Sequence, residues 1–384
     1  MKMQEVITRA MSGTIKWYQA AEILGISERQ MRRWKVRYER QGYDGLLDRR
    51  RNFPSPRRIP MATATKVLRL YRAEYFDFNA RHFHEELSEV HKMEVSYGWT
   101  KALLQEAGLV PKAKKRGQYR RRRERRPLPG MLIHLDGSSH AWFKVPGHAE
   151  ERQTLLALLD DATGECLGAQ FVPQEATVPL LRLLKELVQK RGTFVALYTD
   201  RARHFVFTPV AGGPPDRSKK TQIEQVLDEL GIELIAAHSP EARGRGERAW
   251  RTMQGRLPQE LRRAGARSYE TANAYLRKAF VPKFNLKFAI APATRGTAFV
   301  PVLKANLDRI FALRYDRTVG KDNVVQFNHQ TYQLPKVQGI STLAGRRVQV
   351  RVLLNGTTEI LLGPQRVAAF SSTAPTVEIE PEAA

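Results

Sequence analysis

Three carboxylates stand where an α/β chain could bring them together. Asp136 follows the apolar run 131–135 and precedes Gly137-Ser138-Ser139. Asp200 closes a second apolar run, 194–198, in LYTD, and Glu247 lies near the start of a helical stretch in SPEARGRGERAW. They are 64 and 47 positions apart, which leaves room for the elements between them. Carboxylate oxygens are hard donors that suit Mg²⁺, which takes a few of them with waters and substrate oxygens. Two such ions about 3.5–4 Å apart activate the attacking oxygen and stabilise the leaving oxygen at a phosphodiester. Each acid alone also has a plain reading, as a turn former or as the helix partner of an arginine. Asp160 and Asp161 are rivals, because paired carboxylates also bind metal; standing before Thr163-Gly164, they read as turn residues.

The elements needed to position these acids are legible between 131 and about 260. Strand patterns fall at 131–135, 155–159 and 166–172, the last two flanking the turn 160–164. Helical periodicity follows over 177–190, with Thr177 as its cap, then a strand over 194–198. A helix over 220–230, a strand over 233–237 and a long amphipathic helix over 245–264 complete the series. A meander followed by alternating units predicts a mixed sheet with helices on its faces. Trp142 and Phe143 read as core.

Charge says what such a core would meet. The 384 residues carry a formal net charge of +25, with hydrophobic residues at 42%, too apolar for a disordered chain. Residues 1–130 hold 30 Lys and Arg against 14 Asp and Glu, so the excess sits at the front. Self-repulsion of this size opposes compaction and suits a polyanionic partner, nucleic acid above all. Over 14–40 two helices meet at Gly25, with Ala20, Ala21, Ile23 and Leu24 as one apolar face and Ser27 as the second helix's cap, Gln30 three residues on. Arg29, Gln30, Arg32, Arg33, Lys35 and Arg37 then clothe the second helix, the pattern of a helix-turn-helix reading a major groove.

The expected architecture is multidomain, with N-terminal all-α modules, a central α/β core and a small C-terminal β-barrel. A helix-turn-helix domain occupies 1–50, a basic linker 51–61 and a second helical module, for DNA binding or as a structural spacer, 62–110, with Ser96 capping its last helix. An Arg-rich linker spans 111–130; Arg120, Arg121, Arg122 and Arg123 in it would lie along phosphates. The core fills 131–290 and a helical linker 291–322. Short strands over 323–327, 330–334, 347–353 and 358–362, with an Asn355-Gly356 hairpin turn, make a barrel over 323–372. Arg346, Arg347 and Arg351 on it suit DNA or solvent equally, and 373–384 reads as a disordered acidic tail.

From Met131 to about Phe288 the sequence resembles the integrase-core transposases of bacterial insertion sequences, in particular the group classed as ISNCY. The stretches that carry the resemblance are LIHLDGSSHAWF, LLALLDDATGECLGAQFVPQEAT, LYTDRARHF, HSPEARGRGERAWRTMQGRL and FNLKFA, with AAEILGISERQMRRW at the front. The resemblance implies a retroviral-integrase-like, RNase H-like core and a DDE triad falling on Asp136, Asp200 and Glu247. It implies Mg²⁺ or Mn²⁺, two ions per site, water attack at a transposon end and strand transfer by the freed 3′-hydroxyl. His238, Arg243 and Arg245, ahead of Glu247, suit the scissile phosphate or a solvated loop.

The expected partners are double-stranded transposon ends and target DNA, and further copies of the chain, two or more on paired ends. A non-cutting DNA-binding regulator and an end-independent metal nuclease are the competing readings. A single cysteine, Cys166, excludes an intrachain disulfide, and no apolar stretch has signal-peptide or membrane-span character. The expected setting is the bacterial cytoplasm, at the nucleoid.

Overall fold

The computed structural model describes residues 3–47, 58–112, 124–146, 152–208, 216, 218–237, 244–302 and 306–371. The chain folds as two compact units, Met1–Ala73 and Glu74–Ala384. Among the described residues no helix is long and apolar enough to cross a membrane.

The first unit opens with α1 (Met3–Met11), α2 (Trp17–Leu24) and α3 (Glu28–Gln41). Gly25 ends α2 at φ +64°, the left-handed conformation that glycine adopts without steric cost. Ser27 then accepts the Gln30 N–H at 3.2 Å and caps α3, as expected from the sequence. Two helices alone cannot enclose a core, and α1 supplies Val6, Ile7 and Ala10 against Ala20, Ala21 and Met31. Ile23 does not join them and is 50% exposed. At about 100° per residue it lies past the edge of the Trp17, Ala20, Ala21 and Leu24 stripe. A fourth helix, α4 (Met61–Glu74), runs up to the boundary between the units.

The second unit begins with α5 (Ala80–Glu89), capped by Asn79, and α6 (Tyr97–Glu106), capped by Ser96 at 3.2 Å from the Trp99 N–H. The division at 73/74 therefore falls inside the stretch read as a single helical module over 62–110.

Its sheet comprises β1 (Ile133–His140), β2 (Gln153–Asp160) and β3 (Cys166–Val172), then, after α7 (Thr177–Arg191), β4 (Ala196–Thr199) and, after α8 (Gln222–Glu229), β5 (Glu233–Ala236). The order is β3-β2-β1-β4-β5. The first three strands run antiparallel as a meander, while β1, β4 and β5 are parallel, the mixed sheet expected. Residues of β2 alternate between two cores. Leu156 and Leu158 face α7 and α8, and Leu155, Ala157 and Leu159 face the later helices. Burial on both faces is why this strand reads as one apolar run. Thr177 does not cap α7; extended Ala176 occupies that place, without a side-chain cap.

The long helix expected over 245–264 is two helices, α9 (Gly244–Gln254) and α10 (Leu257–Arg263). Pro258 causes the break, since it offers no N–H to Gln254 and its ring would strike that carbonyl. Then come α11 (Tyr269–Tyr275), a π turn over 276–280 and α12 (Val281–Phe288). Trp142 and Phe143 are core residues here, packed with Phe171, Trp250 and Phe280.

A belt of ion pairs fastens α5 to these helices. Arg256 grips Glu85 with both nitrogens, at 2.6 and 3.0 Å, and Lys287 reaches the same carboxylate at 3.0 Å. Arg263 and Lys283 meet Glu86 at 2.8 and 3.1 Å, and Arg262 meets Asp77 at 2.8 Å. Burial pushes the Glu85 carboxyl upward, but Arg256 and Lys287 prevail and hold it at about 2.

The C-terminal strands follow a short α13 (Leu307–Ile310). They are β6 (Ala312–Thr318), β7 (Val324–Phe327), β8 (Gln330–Gln333), β9 (Arg347–Leu353), β10 (Thr358–Leu362) and β11 (Gln365–Phe370). They pair as a four-stranded sheet, β11-β10-β9-β6, and a β7-β8 hairpin that share one core. These pairings do not show a closed barrel, and the β structure begins at Ala312, inside the segment read as a helical linker. Gly356, at φ +88°, makes the expected hairpin turn. Arg351 is partly buried and spends its guanidinium on Gln349 and the Arg309 carbonyl, whereas Arg346 and Arg347 are exposed. The expected tail, 373–384, lies outside the described residues.

Candidate active site

Asp136 sits on β1, the central strand of the sheet, opposite Ala157 of β2. On its other side β1 pairs with β4 in parallel, Ile133 with Leu197 and His134 with Tyr198. The same register carried two residues further would set Asp200 across from Asp136. The pairing itself ends at His134 and Tyr198, and Asp200 follows directly on the end of β4. The Asp200 carboxylate also accepts the Ala202 N–H at 2.9 Å, which turns the chain as it leaves β4.

Glu247 comes from α9, which lies along β1. The Trp250 indole N–H donates to Asp136 Oδ2 at 2.8 Å, and Gln254 Nε2 donates to Ser138 Oγ at 3.0 Å. Glu247, Trp250 and Gln254 are spaced three and four apart, so they share one stripe of the helix. Glu247 is exposed and in the first turn of α9, where the helix dipole favours an acid. Gly246 is buried, and a Cβ added there would stand 3.9 Å from Asp136 Oδ2.

Asp200 thus follows directly on β4, the parallel neighbour of the strand that carries Asp136, and α9 lies along that strand. The three acids do not form a finished metal cage. Among the described residues no group of three His, Cys, Asp or Glu side chains is gathered closely enough to hold a metal ion.

The rival pair is occupied with structure. Asp160 and Asp161 are 2% and 1% exposed. Asp160 accepts the Thr163 N–H and hydroxyl at 2.8 and 2.9 Å and the Gly130 N–H at 2.9 Å. Asp161 lies 2.8 Å from His134 Nε2, and it accepts the Arg126 N–H at 2.8 Å. They are turn residues that also clasp the chain entering the core.

Two residues that the sequence left without a role lie against β1 at Asp136 and at its neighbour Gly137, on opposite faces of the sheet. Trp250 is one; its position three after Glu247 was the available signal. Glu175 is the other. Its carboxylate rests over Gly137, where a Cβ would collide with it, so this glycine does permit a close approach. The Glu175 backbone carbonyl also bonds His204. Burial, then Arg203, push the His204 imidazole below its ordinary value, against the opposing pull of that carbonyl and of Asp200. Cys166 is buried, and burial raises its thiol to about 12, so it is no nucleophile.

On the first unit, Arg29, Gln30, Arg32, Arg33 and Arg37 are exposed along α3. Arg32 pairs with Glu28 at 3.3 Å, and Lys35 lies over the Trp17 ring at 5.1 Å. Arg120, Arg121, Arg122, Arg123, His238 and Arg243 lie outside the described residues, as does the side chain of Arg245.

Comparison with known proteins fits both units. Residues 4–52 match the family model described as a helix-turn-helix domain. The protein named "Putative transposase y4bF", from Sinorhizobium fredii, is 31% identical over 358 residues, 93% of this chain and 77% of its own length. The transposase for insertion sequence IS1202 from Streptococcus pneumoniae is 26% identical over 365 residues, 86% of this chain and 77% of its own. The chain belongs to this family of insertion-sequence transposases. Among solved structures, the HTLV-2 integrase catalytic core domain in complex with magnesium is 12% identical and covers 39% of this chain and 85% of its own, with TM-score 0.28. A simian T-cell lymphotropic virus intasome chain, in complex with a PP2A regulatory subunit, is 11% identical and covers 79% and 94%, with TM-score 0.34. Likenesses this slight carry no weight for fold or chemistry.

Proposed function

We propose that this protein binds the terminal inverted repeats of an insertion sequence and cuts and joins DNA strands there, using Asp136, Asp200 and Glu247. The observation that supports this best is the pairing of β1 with β4, whose register, extended two residues, would set Asp136 and Asp200 side by side, with α9 along β1. Mg²⁺ is commonly held by one or two carboxylates, with waters and substrate phosphate oxygens filling its shell. Asp136 and Asp200 fit that donor set, and Glu247 would complete it from α9. When bound, a pair of divalent ions would lower the cost of charge on the attacking and leaving oxygens.

The chain's own residues do the rest. The aspartates and Glu247 hold the site's negative charge at fixed positions, and the helix-turn-helix unit binds the end through α3. In the first reaction, a water oxygen bonds to phosphorus, the 3′-oxygen leaves and takes up a proton, and a 3′-hydroxyl remains. That hydroxyl then attacks a target phosphodiester in line, and a target 3′-oxygen leaves. The reaction would take place in the bacterial cytoplasm, on the nucleoid, with two or more protomers on paired ends. The mass of the end-bound complex tests the last point; one protomer per pair of ends would overturn it.

A second reading, a DNA-binding regulator that no longer cuts, draws on the helix-turn-helix unit, which would bind an end equally well without any cutting. Incubating the purified protein with labelled ends and Mg²⁺ separates the two readings. Nicking at the 3′ end supports the transposase, and tight end binding without nicking in Mg²⁺ or Mn²⁺ supports the regulator.

A further inference from the structure

We infer that Trp250 is a positioning residue of the candidate site: its indole N–H fixes the orientation of the Asp136 carboxylate and ties the placement of Glu247 to it. This rests on the reading of Asp136 as a site acid. The bond is 2.8 Å long and joins residues 114 positions apart. Trp250 is 7% exposed, so little water competes for its N–H. The Trp142 ring, with centroids 6.4 Å away and planes tilted by 54°, restrains the indole from one side.

An indole N–H only donates and is never a ligand. A carboxylate offers about four lone-pair positions, and the indole takes one on Oδ2. That contact sets the plane of the carboxylate for whatever the remaining positions bind. It also sets the helix. The Gln254 bond to Ser138 fixes α9 one turn further along β1, and at Gly246 an added Cβ would come within 3.9 Å of Asp136 Oδ2, so the first turn of α9 faces that carboxylate. With those points fixed, Glu247 has little freedom to slide along the strand. Partners that orient metal ligands in this way typically cost 10–100-fold in metal affinity or activity when removed.

The test uses the full-length protein with Mn²⁺ as probe, its affinity read by electron paramagnetic resonance in the parent, Trp250→Phe and Asp136→Asn. Phenylalanine keeps most of the ring packing and loses the donor. The expected result is Mn²⁺ binding weakened about 10–100-fold in both variants. Parent-like Mn²⁺ affinity in Trp250→Phe, with weakened affinity in Asp136→Asn, would overturn this inference and leave the site reading intact. Parent-like affinity in Asp136→Asn would instead remove the site reading on which it rests. Should Trp250→Phe fail to fold, the unmutated protein serves. The indole ¹⁵N–H resonance displaced in Asp136→Asn is followed during a Mg²⁺ titration. It should move with the same midpoint as metal binding, and a resonance that stays still as metal binds would overturn the inference.

Discussion

The Glu175 carboxylate lies over the Cα of Gly137, the residue next to Asp136 in β1. An added methyl at Gly137 would displace the end of a flexible side chain, with Leu156 the next neighbour at 3.4 Å. Gly137→Ala should therefore cost little stability, about 1 kcal/mol or less, and should displace the Glu175 carboxylate from its place over β1. We expect strand nicking to fall about tenfold, equivalent to about 1.4 kcal/mol, with the melting temperature nearly unchanged. Nicking equal to the parent would show that Glu175 has no part in the site.

Asp161 gives the opposite pattern. Asp161→Ala strands the His134 ring and the Arg126 N–H, both buried or partly buried. The cost should be on the order of 3 kcal/mol in denaturant unfolding, while Mn²⁺ affinity stays at the parent value. Weakened metal binding in the folded variant would restore Asp161 as a rival ligand.

The Arg256–Glu85 pair should control acid stability. Side-chain exposures are 8% and 16%, so removing one partner leaves the other's charge poorly solvated. Glu85→Ala should cost on the order of 3 kcal/mol. The folded carboxyl titrates at about 2, down from an ordinary 4.5. A depressed carboxyl stabilises fully above its unfolded value and loses that contribution as pH falls through the folded one. Unfolding free energy should thus decline between pH 4.5 and 2 in the parent, and decline less in Glu85→Gln. Identical acid profiles would contradict the ion-pair account.

Ser27→Ala removes the cap of α3 and should cost the first unit about 1 kcal/mol. Arg33→Ala should leave stability alone and weaken end binding. If Arg33 meets a phosphate, the slope of log affinity against log salt should lessen by about 1. An unchanged affinity would remove Arg33 from the DNA surface.

The sheet was largely legible in the sequence because each strand is an apolar run closed by a turn signal, as at Asp160–Gly164. The helix-turn-helix was legible through Gly25 and Ser27, which act locally. The break at Pro258 was also written in the sequence, but the apolar period through Met253, Leu257 and Leu261 masks it. What could not be read is long-range. Arg256 finds Glu85 across 171 positions, and Asp136 finds Trp250 across 114. No local pattern encodes either pairing. The first strand of the C-terminal sheet, ALRYDRT, has too much charge to read as a strand until β9 pairs with it.

The most direct test of the central claim is the nicking and joining of labelled ends, taken from the flanks of the gene, by the parent and by Asp136→Asn, Asp200→Asn and Glu247→Gln. The expected result is 3′-end nicking and strand transfer in the parent, lost in all three variants while each still binds the end. A parent that nicks and joins, together with any one of the three variants that does so equally well, would contradict the assignment of the acids.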